Sequence, residues 1–216
     1  MRNLALIAIL LVSPLVLAKG QDIDKVNGAI RTEAGTEYGD LDTVNGAISI
    51  ERGTRAESAS TVNGGIQVDD GAQVGTLETV NGSISIGAMV EVAHDVSTVN
   101  GGVSIERGSR VLGKVETVNG GVKLSGGEIG KGIATVNGDI TVDADSIVRG
   151  GILVEKPSMG WFNFGNQKKP RVVIGPNAVV EGTLDFEREV ELFVHDTAKV
   201  GQINGATAVK FSGATP

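Results

Sequence analysis

From Val26 to Val142 the apolar residues return at fixed steps, counted here from the Val of each Val-Asn-Gly triplet as position 0. They fall at 0, +4 and +6, as in Val44, Ile48, Ile50 and again in Val62, Ile66, Val68 and Val118, Val122, Leu124. A second column sits near +12 (Val74, Val92, Val111), and a third near +15 or +16 (Ala59, Leu77, Val115). The +4/+6 pair is a period-2 alternation, which is the signature of a strand with one buried face. Three short apolar segments in each repeat therefore predict three short strands per coil, with the Val at 0 pointing inward and the Thr at −1 (Thr43, Thr61, Thr79, Thr98, Thr117, Thr135) on the outer face.

The triplet itself places Asn at 27, 45, 63, 81, 100, 119 and 137, at successive spacings of 18, 18, 18, 19, 19 and 18 residues. Self-similarity at that period is the mark of a solenoid. Glycine follows the Asn in every repeat and recurs near +9 (Gly53, Gly71, Gly108) and near +13 or +14 (Gly75, Gly113). These are the corners, where glycine takes backbone angles that a Cβ would oppose and Asn tolerates the left-handed region. The predicted fold is all-β: a single-stranded parallel β-helix with triangular coils of about 18 residues, about nine to ten coils and one inserted loop. Asn27, Asn45, Asn63, Asn81, Asn100, Asn119 and Asn137 would stack about 4.8 Å apart as a structural ladder of amides.

The regular repeats span 26–154, an inserted segment 155–170, and further coils 171–211. Taking Val154 as position 0, a corner is due at 155 and 156, but the chain reads Glu155-Lys156-Pro157 and returns to strand character at Val172 and Ile174. Ile203-Asn204-Gly205 reads as a last corner. The insertion contains Trp161, Phe162 and Phe164, three of only seven aromatic residues, followed by Lys168 and Lys169. Large apolar side chains set away from a core mark contact surface, so these five residues are the candidate partner-binding group.

Residues 1–18 differ from the rest: Arg2 precedes an apolar run from Leu4 to Leu17 that ends in Val16-Leu17-Ala18. This reads as a signal peptide before a β-solenoid domain over 19–216, with the mature protein exported to the periplasm or cell surface. The chain has no cysteine, which excludes disulfides and lipid attachment through a thiol. A net charge of −7 argues against nucleic acid. Acidic residues at +7 (Glu33, Glu51, Asp69, Glu106, Asp143) form a column, yet the ligand convergence that calcium needs is missing from the pattern, so no metal and no cofactor is expected. His94 and His195 lie about five coils apart and cannot share a catalytic site; His195 reads as a solvated surface residue, and no catalytic residue is assigned.

The Val-Asn-Gly-Gly-Ile-x-Val repeats resemble a family of uncharacterised exported bacterial β-solenoids described as adhesin-like. The segment Val172-Val173-Ile174-Gly175-Pro176-Asn177-Ala178-Val179-Val180-Glu181-Gly182 is similar to the bactofilins, β-helical scaffold proteins that polymerise. These resemblances imply a non-enzymatic structural or interaction protein of the cell envelope. Its partners would be an envelope protein, a glycan or a lipid headgroup met through the insertion, together with end-to-end self-association. The alternative is a glycan-binding or glycan-processing β-helix module.

Overall fold

The structure is a computed structural model that describes residues 20–157 and 169–216. Every strand pairing in it is parallel, and the strands of one coil lie directly on those of the next. One sheet runs the length of the stack with ten strands, from Ile30–Arg31 through Ile48–Ile50 and Val103–Ile105 to Ala208–Phe211, so the helix has ten coils. The all-β parallel β-solenoid read from the periodicity is the fold.

The triangle is not uniform along the rod. In the early coils two faces are made by single bent strands of nine residues, Glu37–Asn45, Arg55–Asn63 and Gln73–Asn81. In the next coil that strand divides: Val74 pairs with Val92, a step of 18, whereas Leu77 pairs with Val96, a step of 19. The extra residue lies in Ala93-His94-Asp95, and from there on three separate short strands form each coil.

The core is a column of aliphatic side chains. Ile48, Ile50, Leu77, Ile84, Ile86, Ile105, Leu124 and Ile140 are all essentially sealed from solvent, with Val74, Val92 and Val111 completing the +12 column. Aliphatic residues fill most of this interior because three strand faces meet within one side chain's reach, and Phe186, in the column of Val154, is the aromatic ring buried among them.

The predicted orientation of the Thr-Val pair is reversed. Thr43, Thr61 and Thr79 are 4%, 2% and 4% exposed, while Val44, Val62 and Val80 are 41%, 40% and 40% exposed. Parity requires this: Leu41 and Leu77 point inward at −3, so −1 also points inward and 0 points outward. The buried hydroxyl is satisfied across the coils. Thr43, Thr61, Thr79, Thr98 and Thr117 Oγ1 donate to the carbonyls of Gly28, Gly46, Gly64, Gly82 and Gly101 at 2.8–3.2 Å. A Val at −1 would fill the same volume and leave those carbonyls unbonded, at about 1 to 3 kcal/mol each.

Two glycine columns do different jobs. The glycines after each Asn are not needed for a left-handed backbone: beyond Gly28, with φ +112°, none of that column has positive φ. They are required because a Cβ on Gly46, Gly64, Gly82, Gly101, Gly120 or Gly138 would sit 1.7–2.2 Å from the glycine carbonyl oxygen one coil earlier. The left-handed corner is the one near +9, where Gly35, Gly53, Gly71, Gly108 and Gly126 have φ between 64° and 74°. Met89, Asp145 and Asn177 stand at that corner in other coils with φ of 58°, 59° and 56°. The ladder asparagines are not left-handed, contrary to the sequence-based expectation.

The insertion leaves and re-enters the stack without shifting it. Ile140 pairs with Val172 and Val142 with Ile174, and on the adjoining face Ile152 pairs with Leu184 and Val154 with Phe186. The local numbering needs correction by one residue. Val154 is in register with Thr135, so it occupies the inward −1 slot, and the Asn slot falls at Lys156 and then at Arg188. Ile203 likewise pairs with Leu184 in the −3 column, so Ile203-Asn204-Gly205 is not a corner triplet.

Candidate functional site

Six amide bonds make the ladder continuous. The Nδ2 of Asn45, Asn63, Asn81, Asn100, Asn119 and Asn137 each donates to Oδ1 of the asparagine one coil earlier, at 2.9–3.1 Å. Each interior amide thus donates to one neighbour and accepts from the other, which ties the register of one coil to the next. Asn81→Ala should remove two of these bonds while leaving the backbone free to keep its conformation. We expect a loss of about 1 to 2 kcal/mol, read as a lower melting temperature than that of the outer-face control Ser85→Ala; equal melting temperatures would show that the exposed ladder adds nothing.

Arg188 takes over where the ladder ends. Its Nη1 donates to Asn137 Oδ1 at 2.7 Å and to the Val136 carbonyl at 3.0 Å, reaching past the coil from which the insertion departs. Nothing in the repeat pattern pointed to Arg188, because the insertion hides that its position is the Asn slot. The same corner holds the re-entry of the chain: Arg171 N donates to Asp139 Oδ1 at 2.8 Å, and the Arg171 guanidinium lies 4.9 Å from the centre of the Phe193 ring. Glu187 receives the N–H of Lys156 at 3.1 Å on the departing side.

Of the candidate partner-binding residues, Trp161, Phe162, Phe164 and Lys168 lie outside the described residues. Lys169 lies within them, 2.7 Å from Glu189. That contact holds the Lys169 ammonium above its ordinary pKa and the Glu189 carboxyl below its own. Lys169 is therefore part of an exposed ion pair and not an open cation.

The histidines do not meet. His94 is exposed at the corner where the extra residue enters, whereas His195 is 9% exposed, which overturns its reading as a solvated surface residue. The Thr197 backbone N–H donates to His195 Nδ1 at 3.1 Å, Thr197 Oγ1 lies 2.9 Å from that same nitrogen, and Phe211 packs edge-on at 5.0 Å. This histidine seals the last turn of the core. Along the +7 column the carboxylates are met by neighbours: Arg31 lies 3.0 Å from Glu51, Lys123 3.5 Å from Asp143, and Gln67 donates to Asp69 at 3.0 Å. Among the described residues no group of three His, Cys, Asp or Glu side chains is arranged to hold a metal ion.

Compared with protein-family models, curated proteins and solved structures, the chain finds no significant match in any of the three.

Proposed function

We propose that this chain is an exported, non-enzymatic scaffold or adhesin-like protein of the bacterial cell envelope, whose rod carries the 155–170 insertion to a partner. The observation that carries this reading is the undisturbed register across the insertion: Ile140–Val172 and Val154–Phe186 pair as neighbouring coils although 32 residues separate each pair. The strands on either side of the insertion keep the register of neighbouring coils, which supports a role for its three aromatics beyond the repeat. The hydrophobic run over Leu4–Leu17 supports export, and the anionic surface with Lys168 in the insertion suits an envelope protein, a glycan or a lipid headgroup.

Deleting residues 158–168 tests it. The deletion protein should keep its melting temperature within about 3 °C, as expected for a change of less than about 1 kcal/mol in a chain of this size, and should shift from the envelope fraction to the soluble fraction of fractionated cells. Unfolding of the deletion protein would make the segment a structural cover, and unchanged envelope retention would remove it as the interaction site.

Self-association through the ends belongs to the same reading. Parallel coils end in unpaired strand edges, a ready template for a second copy. The described edges differ in charge. Asp22 and Asp24 lie on the first strand beside Asp40 and Asp42, where burial, then Asp24, Asp40 and Asp22, push the Asp42 carboxyl up. After Asp196 the sequence carries Lys199 and Lys210 and no acidic residue. Sedimentation at high micromolar concentration should show a salt-sensitive, concentration-dependent rise in size; a strict monomer at every concentration would contradict it.

A further inference from the structure

The chain contains eight Asn-Gly pairs, beginning at Asn27, Asn45, Asn63, Asn81, Asn100, Asn119, Asn137 and Asn204. In an Asn-Gly pair the glycine nitrogen can close onto the preceding side-chain amide to form a five-membered ring, because no Cβ shields it. The geometry points to Asn137–Gly138 as a site of self-modification, at which the side-chain amide is lost as ammonia and an acidic residue is left in its place.

Three features coincide at this pair; the first it shares with Asn81, Asn100 and Asn119, and the other two set it apart from the rest of the ladder. The first is at the nucleophile. The N–H groups of Gly28, Gly46 and Gly64 donate to the carbonyls of Asn45, Asn63 and Asn81 at 2.9–3.1 Å, which ties them down. Gly82, Gly101, Gly120 and Gly138 make no such bond among the described residues. The second is at the electrophile. Asn81, Asn100 and Asn119 each offer Oδ1 to a neutral amide, but Asn137 Oδ1 receives the Arg188 guanidinium at 2.7 Å. A cation placed there withdraws electrons from Cγ and stabilises the oxyanion that forms on Oδ1 when nitrogen adds. The third is a hydroxyl. Thr135 Oγ1 is the one buried side-chain polar atom without a hydrogen-bond partner among the described residues, and it lies 2.8 Å from where a Cβ on Gly138 would stand. Its counterpart Thr117 is occupied by a carbonyl at 3.0 Å. The Thr135 hydroxyl thus lies against Gly138 with no carbonyl to hold it.

The step balances within the chain. The Gly138 nitrogen forms a bond to Asn137 Cγ, the carbonyl pair moves onto Oδ1 beside Arg188, and the intermediate collapses with loss of the amide nitrogen. That nitrogen departs as ammonia, carrying the proton released by Gly138 N–H, and a succinimide remains. Water then adds to either ring carbonyl and breaks its bond to nitrogen, giving aspartate or isoaspartate. At this position the product carboxylate meets Arg188, whereas the donor bond to Asn119 Oδ1 is lost. The top rung of the ladder is thereby cut at the corner where the insertion leaves.

The test is peptide mapping by mass spectrometry of the purified full chain after incubation in mildly alkaline buffer, with the conversion at each Asn-Gly pair measured in the same sample. In the native protein Asn137 should convert at least about tenfold faster than Asn119, and in urea the difference should vanish. Arg188→Gln should bring native Asn137 down to the rate of Asn119, while the far-ultraviolet signature of the β-helix is retained. The proposal is overturned if native Asn137 is no faster than Asn119, or if Arg188→Gln leaves its rate unchanged or raises it. Should Arg188→Gln not fold, the ranking in the native wild-type chain decides alone.

Discussion

Gly101→Ala should be among the most damaging single substitutions in this protein, lowering stability by about 3 to 5 kcal/mol. The added methyl would lie 1.9 Å from the Gly82 carbonyl oxygen and 2.4 Å from its carbon, both backbone atoms that cannot rotate away. Relief requires the two coils to part at that corner. The corner also contains the Asn100–Asn81 amide bond and the Thr117 hydroxyl on the Gly101 carbonyl, so parting the coils weakens those as well. Gly53→Ala is the informative comparison. Its φ is +67° but nothing lies within 4 Å of the new Cβ, so only the left-handed penalty of about 1 to 2 kcal/mol applies. Melting curves of the two variants should be well separated, with Gly101→Ala lower by roughly 4 °C or more. Similar melting temperatures would mean that the close stacking at the Asn-Gly corner is not a constraint.

The second large effect is expected in the core. Leu124 is fully buried and stacked in register between Ile105 and Val142. A globular core can close around a truncated side chain from many directions, but here the neighbours are fixed by the coil above, the coil below and the two opposing faces. Leu124→Ala should therefore leave most of its cavity open and cost about 3 to 5 kcal/mol, the upper part of the range for such truncations. Because a stack of repeats is held by nearest-neighbour interfaces, a loss of that size at one layer should also broaden urea unfolding and lower its apparent m-value. A sharp transition displaced by less than about 1 kcal/mol would show that the coils collapse onto the gap.

The periodicity was enough for the fold because a coil must present the same inward positions every 18 or 19 residues. Ile48, Ile66 and Ile84 therefore mark one face as clearly in the sequence as they do in space. The ladder was legible for the same reason, since identical amides at a fixed step can only stack. What misled was chemistry read against geometry. Val44 looks more apolar than Thr43, yet Leu41 already settles by alternation that Thr43 is inside. The glycine after each Asn was assigned to a special φ, whereas its cause is the preceding coil's backbone, which no local pattern can show. The left-handed corner was hidden in the coils where Met89, Asp145 and Asn177 replace glycine. At the corner of the insertion the reading was off by one position. The residue that matters most there, Arg188, could be identified only after Val154 was placed opposite Thr135.

The in-register return of the chain after the insertion has a consequence for how such a protein can change over time. Bringing Val172 onto Ile140 closes 32 residues of chain where an uninterrupted coil closes 18. Closure entropy grows only with the logarithm of length, so the longer path costs about 0.5 kcal/mol more. Any of the regular corners would face the same small penalty, provided the added segment departs after the Asn slot and returns before the +4 strand. A coil that accepts new sequence at so small a cost leaves its neighbours' packing unchanged. Variation in what the rod carries can then proceed without retuning the rod.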